Sequence, residues 1–149
     1  MSINLDAAVG LCKTFEGFRS SPYLCPAQKW TIGYGCTFYS TGQRVTATDP
    51  VVSVERAEEM LIAELRSNCL PSALRLCPIL DLHEKKLNAV VDFVFNLGAD
   101  RLRSSTLRRK INSKDWTGSK AELARWVYGG GKVLPGLVKR RAAEAALFD

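Results

Sequence analysis

Three side chains in one short, turn-rich stretch could act together: Glu16, Cys25 and Thr31, within FEGFRSSPYLCPAQKWTIGYG. Eight residues separate the glutamate from the cysteine, and five separate the cysteine from the threonine. A glutamate serves as a general acid when its surroundings keep it protonated. A thiol supports positive charge or acts as nucleophile or base only to the extent that it is thiolate, and an ordinary cysteine is mostly protonated near pH 7. A threonine hydroxyl both donates and accepts, which suits it to hold a water molecule. Singly, each has an ordinary reading: a solvated helix-end acid, a small core thiol, a strand former.

The flanking elements must position them. Val9, Leu11, Cys12 and Phe15 predict a first helix, with Asp6 as its cap and Gly17 as its stop. Glu16 then lies in the last turn, where the macrodipole disfavours the anion and Phe15 and Phe18 can desolvate it. From Gly17 to Asp49, Ser, Pro, Gly, Thr and aromatic residues dominate. Lys29 to Tyr34 alternates like a short strand, and Gly33 and Gly35 suggest a tight hairpin or bulge. The expectation is a small β-containing lobe over about residues 13–52.

After Asp49-Pro50 the periodicity becomes helical. Ala57, Met60, Leu61 and Leu65 make the apolar stripe of a connecting helix from about Ser53 to Asn68, with Glu58, Glu59 and Arg66 facing water. LNAVVDFVFNL, residues 87–97, is apolar nearly all round and closes on Gly98, as expected of a helix buried in a bundle. Ser119 and Glu122 suggest a capping box ahead of Leu123, Trp126 and Val127, with Gly129-Gly130-Gly131 ending that helix. Pro135-Gly136 introduces a last basic helix, Leu137 to Phe148. The expected fold class is α+β, mostly α, in one domain whose helical lobe spans about residues 69–149 plus the N-terminal helix.

The 21 basic against 15 acidic residues favour an anionic partner such as nucleic acid, a membrane surface or an acidic wall polymer. The basic runs RLRSSTLRRK and KRR are not interleaved with aromatics, which argues against a nucleic-acid groove. Cys12, Cys25, Cys36, Cys69 and Cys77 are odd in number and lack any CxxC spacing, so neither a full disulfide framework nor a zinc ribbon is signalled. Cys12, Cys69 and Cys77 are expected in the core. His83-Glu84 is half of a zinc-protease helix, but position 87 is Leu, so no metal site is assigned, and a Cys-His hydrolase built on His83 has no further motif. The N-terminus lacks a signal-peptide pattern and no later run is long enough to span a bilayer, so a cytoplasmic chain is expected.

The E-x8-C-x5-T pattern resembles the catalytic triad of phage lysozymes of the T-even and lambdoid endolysin type, in which the middle residue is Asp or Cys. EGFRSSPY and WTIGYG resemble the surrounding family segments. LNAVVDFVFNLGADRLRSSTLRRKIN and RWVYGGGKVLPGLVKRRAAEAALF are similar to the family's buried and C-terminal helices. The resemblance implies a lysozyme-like fold and hydrolysis of the β-1,4 bond between N-acetylmuramic acid and N-acetylglucosamine, with no metal or organic cofactor. It implies Glu16 as general acid, Cys25 as nucleophile, base or transition-state stabiliser, and Thr31 as the residue that positions water. Arg140 or Arg141 could orient Glu16, although a basic helix more simply implies a solvated face for both.

It further implies a monomer that waits in the host cytoplasm, reaches peptidoglycan through a holin-type membrane lesion, and lyses the cell. One departure is Cys36, where the family commonly has histidine; if it came within reach of Cys25, oxidation would cap the catalytic thiol. Two rivals remain: a lytic transglycosylase, raised by the missing second carboxylate, and a peptidoglycan-binding protein that has lost catalysis.

Overall fold

A computed structural model describes residues 2–149. Helix α1 spans Asp6–Glu16 and is followed by an antiparallel hairpin, β1 (Arg19–Leu24) and β2 (Trp30–Gly33). The strands pair Tyr23 with Thr31 and Leu24 with Trp30, and an irregularity between Arg19 and Tyr23 sharpens the bend. The turn between β1 and β2 lies at Cys25–Lys29, with Gln28 in the left-handed region. Gly33 and Gly35 make the tight reversal expected of them just after β2, where Ile32 pairs with Cys36.

Ser53 caps α2 (Val54–Glu64) by accepting from the Arg56 amide, and Ala57, Met60, Leu61 and Leu65 are buried as the stripe requires. The expected end at Asn68 is wrong. The helix passes through a π turn, Leu65–Cys69, directly into α3, Leu70–Leu76. Pro71 has no N–H to give the ladder, and the wider turn immediately before it absorbs that loss without ending the helix.

A 3-10 turn, Pro78–Leu82, leads to α4, Glu84–Leu97, which is the buried helix expected and ends on Gly98 with φ +93. Leu87, Val90, Val91 and Phe93 are fully buried, each worth about 1.5–3 kcal/mol relative to exposure. Helix α1 packs on α4 and on the last helix, α8 (Pro135–Ala146), so the N-terminal helix joins the C-terminal helices.

Short helices α5 (Ala99–Arg103), α6 (Thr106–Asn112) and α7 (Trp116–Leu123) follow. The expected capping box is displaced: Asp115 caps α7 through the Gly118 amide, and Ser119 is a buried helical residue donating to Asp115's carbonyl. Aspartate here outcompetes serine because its carboxylate reaches the free amides of the first turn. The three glycines do not end a helix; Gly130 and Gly131, both at positive φ, make the turn of a hairpin, β3 (Tyr128–Gly129) and β4 (Lys132–Val133). Helix α8, Pro135–Ala146, starts on its proline.

Asp6 does not cap α1. It is the first helical residue, and Leu5 in the cap position offers no side-chain acceptor. The cap comes from 80 residues away: Asn88 Oδ1 accepts from the Ala8 amide at 2.9 Å, while Nδ2 donates to the carbonyls of Asn4 and Glu84. One buried amide side chain thereby fixes where α1 starts on α4, and hence where α1 ends.

Candidate active site

Glu16 is the last residue of α1. Gly17, at φ +72, turns the chain away and returns its amide to the Lys13 carbonyl. From α8, Arg140 Nη1 donates to Glu16 Oε2 at 2.7 Å. The same guanidinium donates through Nε and Nη2 to both oxygens of Asp92 on α4, at 2.9 and 2.8 Å. Asp92 is fully buried and also accepts from the Cys12 thiol at 3.2 Å. Burial opposes ionisation of Asp92, but its bonds from Arg140 and the neighbouring Glu144 and Cys12 prevail and hold its carboxyl below the ordinary range. Burial, then Asp92, pushes the Cys12 thiol far up.

Gly35 presses on the acid from the opposite side. A Cβ there would stand 2.6 Å from Glu16 Oε1, and the residue's φ of +77 is itself one that side chains avoid.

Cys25 and Thr31 come from the hairpin. The Cys25 amide donates to the Lys29 carbonyl at 3.0 Å, which fixes the turn. Thr31, almost wholly buried in β2, donates its hydroxyl to that same carbonyl at 3.0 Å, and its side chain is within hydrogen-bonding reach of Cys25. Desolvation pushes the Cys25 thiol up, but hydrogen bonding with the Lys29 backbone, the Thr31 hydroxyl and the Ala27 backbone outweighs it, and the thiol is lowered from its ordinary value. Thr31 has one hydroxyl proton, for which the Lys29 carbonyl and a Cys25 thiolate compete. When the thiolate takes it, the carbonyl keeps the Cys25 amide.

Tyr23 stands opposite Thr31 in the hairpin register, and its hydroxyl is pushed up by burial and then by Glu16, with a smaller contribution from Cys25. It therefore lies near both Glu16 and Cys25, a placement that its sequence context did not suggest.

Two cavities flank the acid. One, of about 540 Å³, is lined by Lys29, Gly35, Tyr39, Glu64, Asn68 and Phe95 among others. The second, of about 400 Å³, is lined by Phe15, Glu16, Asn96, Leu134, Leu137 and Arg140 among others. The larger cavity does not include Glu16. Gly35 lines the first and Glu16 the second, and the two residues are neighbours.

The expected solvated face for Arg140 and Arg141 is overturned: the residues are 3% and 1% exposed. Helix α8 packs on α4 and α7 as well as α1; the buried Asp92 carboxylate compensates Arg140, and Arg141 pairs with Glu144, whose carboxyl burial and then Asp92 push well up. Arg141 turns away from Glu16; it donates to Asn96 Oδ1 and Glu144 Oε2 and lies over the Phe93 ring. Its Nε is 2.8 Å from Glu144 Oε1, close enough for charge pairing but too far off line for a hydrogen bond.

All five cysteines are free, and Cys12, Cys36, Cys69 and Cys77 are buried while Cys25 is partly exposed. Cys36 faces the core, its thiol pushed up to about 12 by burial, Glu64 and Glu16. His83 lies edge-on to Trp116, and among the described residues no three His, Cys, Asp or Glu side chains converge as metal ligands would. The sequence carried a signal for Asp92 that went unread: one acid in an otherwise apolar helix face.

Residues 13–144 match the protein family described as Phage lysozyme. The chain is 36% identical over 143 residues to the endolysin of Acyrthosiphon pisum secondary endosymbiont phage 1, covering 93% of this chain and 92% of that one. It is 35% identical over 145 residues to the endolysin of Bacillus phage B103, covering 96% of this chain but only 52% of that longer relative. Among solved structures it is similar to the muramidase domain of SpmX from Asticaccaulis excentricus, with 31% identity, a TM-score of 0.76, and coverage of 99% of this chain and 97% of that one.

Proposed function

The chain belongs to the phage lysozyme family of peptidoglycan-degrading glycoside hydrolases, and on that premise we propose that it is an endolysin that cleaves β-1,4 bonds between N-acetylmuramic acid and N-acetylglucosamine. The observation that carries this reading is the placement of Glu16, held by Arg140 and pressed by Gly35 where two cavities meet. A glycan strand laid through both cavities puts a glycosidic oxygen beside the carboxyl.

Glu16, protonated, gives its proton to the leaving oxygen as the bond breaks and the sugar gains oxocarbenium character. Arg140 orients that carboxyl through one N–H. Cys25 replaces the second carboxylate: as thiolate it supports the developing positive charge or draws the proton from the attacking water. Thr31 positions that water through its hydroxyl oxygen. The small lobe then comprises the hairpin and the chain to residue 52, with the helical elements as the second lobe. The enzyme works as a monomer, without metal or organic cofactor, and gains the wall through a separate holin-type lesion.

The test is turbidity loss of purified peptidoglycan by the unaltered protein, Glu16→Gln and Cys25→Ser, with products read by mass spectrometry. Reducing N-acetylmuramic acid ends that vanish in Glu16→Gln are expected. Products with 1,6-anhydro ends would make it a lytic transglycosylase, and wall binding without soluble sugar would make it a binding protein. Full activity in Glu16→Gln would remove Glu16 from the acid's role.

A further inference from the structure

Arg140 serves two carboxylates unequally. Asp92, inside the protein, takes two bonds from the guanidinium fork, and Glu16, at the cavity, takes one. Cys12 adds a third bond to Asp92, so the buried carboxylate is satisfied on both oxygens and has no route to water. The helix geometry makes this arrangement rigid. Asp92 is in the middle of α4, Arg140 is buried on α8, and both helices pack against the helix that ends on Glu16.

The consequence is electrostatic. A guanidinium with no counter-charge of its own favours the ionised form of a carboxyl beside it. That is the wrong state for a general acid. An Arg140 already neutralised by Asp92 presents Glu16 with an N–H and little net charge.

We propose that Asp92 is a positioning residue that acts on Glu16 through Arg140: it fixes the guanidinium so that one N–H aims the acid, and it cancels the charge that would keep the acid ionised. The proposal rests on Glu16 being the acid. The other groups facing Glu16 are Cys12 on its own helix, Tyr23 from β1 and Cys36 beyond β2, none cationic. Beyond Asp92, the buried Glu144 lies against both Asp92 and Arg141, and burial and then Asp92 push its carboxyl well up, so that it gives Asp92 a hydrogen bond and leaves the negative charge there. Asp92 is thus the counter-charge in direct contact with Arg140 on the side away from the cavity.

Asp92→Asn keeps the shape and removes the charge. The alkaline limb of kcat/KM against pH, which reports ionisation of the acid in the free enzyme, is expected to move about one unit or more toward acid pH. Activity above the limb then falls about tenfold per unit, while activity below both limbs returns toward that of the unaltered protein. A uniform loss at every pH, or a limb that stays put, overturns the proposal.

The double variant Asp92→Asn, Arg140→Gln removes both charges together and leaves no orphaned ion if the single variant does not fold. Its limb is expected to return to within about half a unit of the unaltered position, since a cancelled pair has little field to lose. A rise of a unit or more would mean that Asp92 had not neutralised Arg140. Glu16→Gln measured alongside separates the two readings. If it is inactive while the Asp92→Asn limb is unmoved, only the present proposal falls; if it is active, the assignment of the acid falls first.

Discussion

Gly35 and Glu16 are in steric contact across the cavity junction, so the acid's resting place is defined as much by a missing side chain as by Arg140. Gly35→Ala would insert a methyl 2.6 Å from Glu16 Oε1 and would place alanine at φ +77. The carboxyl must then leave Arg140 or the loop must shift. A displacement of about 1 Å at a reacting group costs up to roughly 100-fold in rate. We expect kcat/KM on peptidoglycan to fall roughly 10- to 100-fold, with about 1–2 kcal/mol of stability lost to backbone strain. Steady-state turbidity assays and thermal melts read the two effects; undiminished kcat/KM would mean that Glu16 works from another position.

Native-state alkylation should find one thiol. Cys25 is partly exposed with its thiol lowered, whereas burial pushes Cys77 up to about 11 and Cys36 and Cys69 up to about 12. Iodoacetamide at pH 7.5 is expected to add one carbamidomethyl group, at Cys25, and to abolish lysis in step with labelling. Peptide mapping locates the adduct. Labelling of a second cysteine at a comparable rate, or full activity after complete labelling, would count against the assignment.

The sequence made the helices legible where burial imposed a period, as in α2 and α4, and left them illegible where polar groups chose between neighbours. Asp6 and Ser119 both have the chemistry of a cap, but Asn88 takes the Ala8 amide, and α7 starts ahead of Ser119, where Asp115 takes the Gly118 amide. The first of these is 80 residues distant, beyond any local rule. Of the candidate site, Glu16, Cys25 and Thr31 were singled out by spacing and resemblance. The state of Arg140 was not, because local sequence cannot show whether a cation on a helix meets water or an acid such as Asp92 from another helix.

Asn88→Ala should test how far the position of α1 depends on that distant cap. The substitution leaves the amide of Ala8 and the carbonyl of Asn4 without their partner inside the protein. A buried group left unpaired costs about 1–3 kcal/mol, so we expect a loss of about 2 kcal/mol. For a chain of this length that lowers Tm by about 4–8 °C. Because Glu16 ends the same helix, kcat should fall with it at temperatures well below the melt. A melt shift without any effect on kcat would show that the end of α1 is held by Arg140 and Gly35 alone.

Acid unfolding should expose the energy stored in the Asp92–Arg140 pair. Asp92's carboxyl is depressed in the folded protein, burial notwithstanding, by Arg140 above all. A depressed carboxyl stabilises the fold above its unfolded value, about 3.9, and that contribution is lost as pH falls through the lower folded value. The unaltered protein is therefore expected to lose stability steeply below about pH 4. Asp92→Asn starts lower at neutral pH, because the buried Arg140 then keeps Glu16 as its remaining carboxylate contact. Its acid slope should nevertheless be shallower, because it lacks the titrating group. Urea unfolding at half-unit steps from pH 2.5 to 6 reads the gap between the two proteins. It should be widest at pH 5–6 and narrow toward pH 2.5; a constant gap would mean that Asp92 contributes shape and hydrogen bonding to this cluster but no charge.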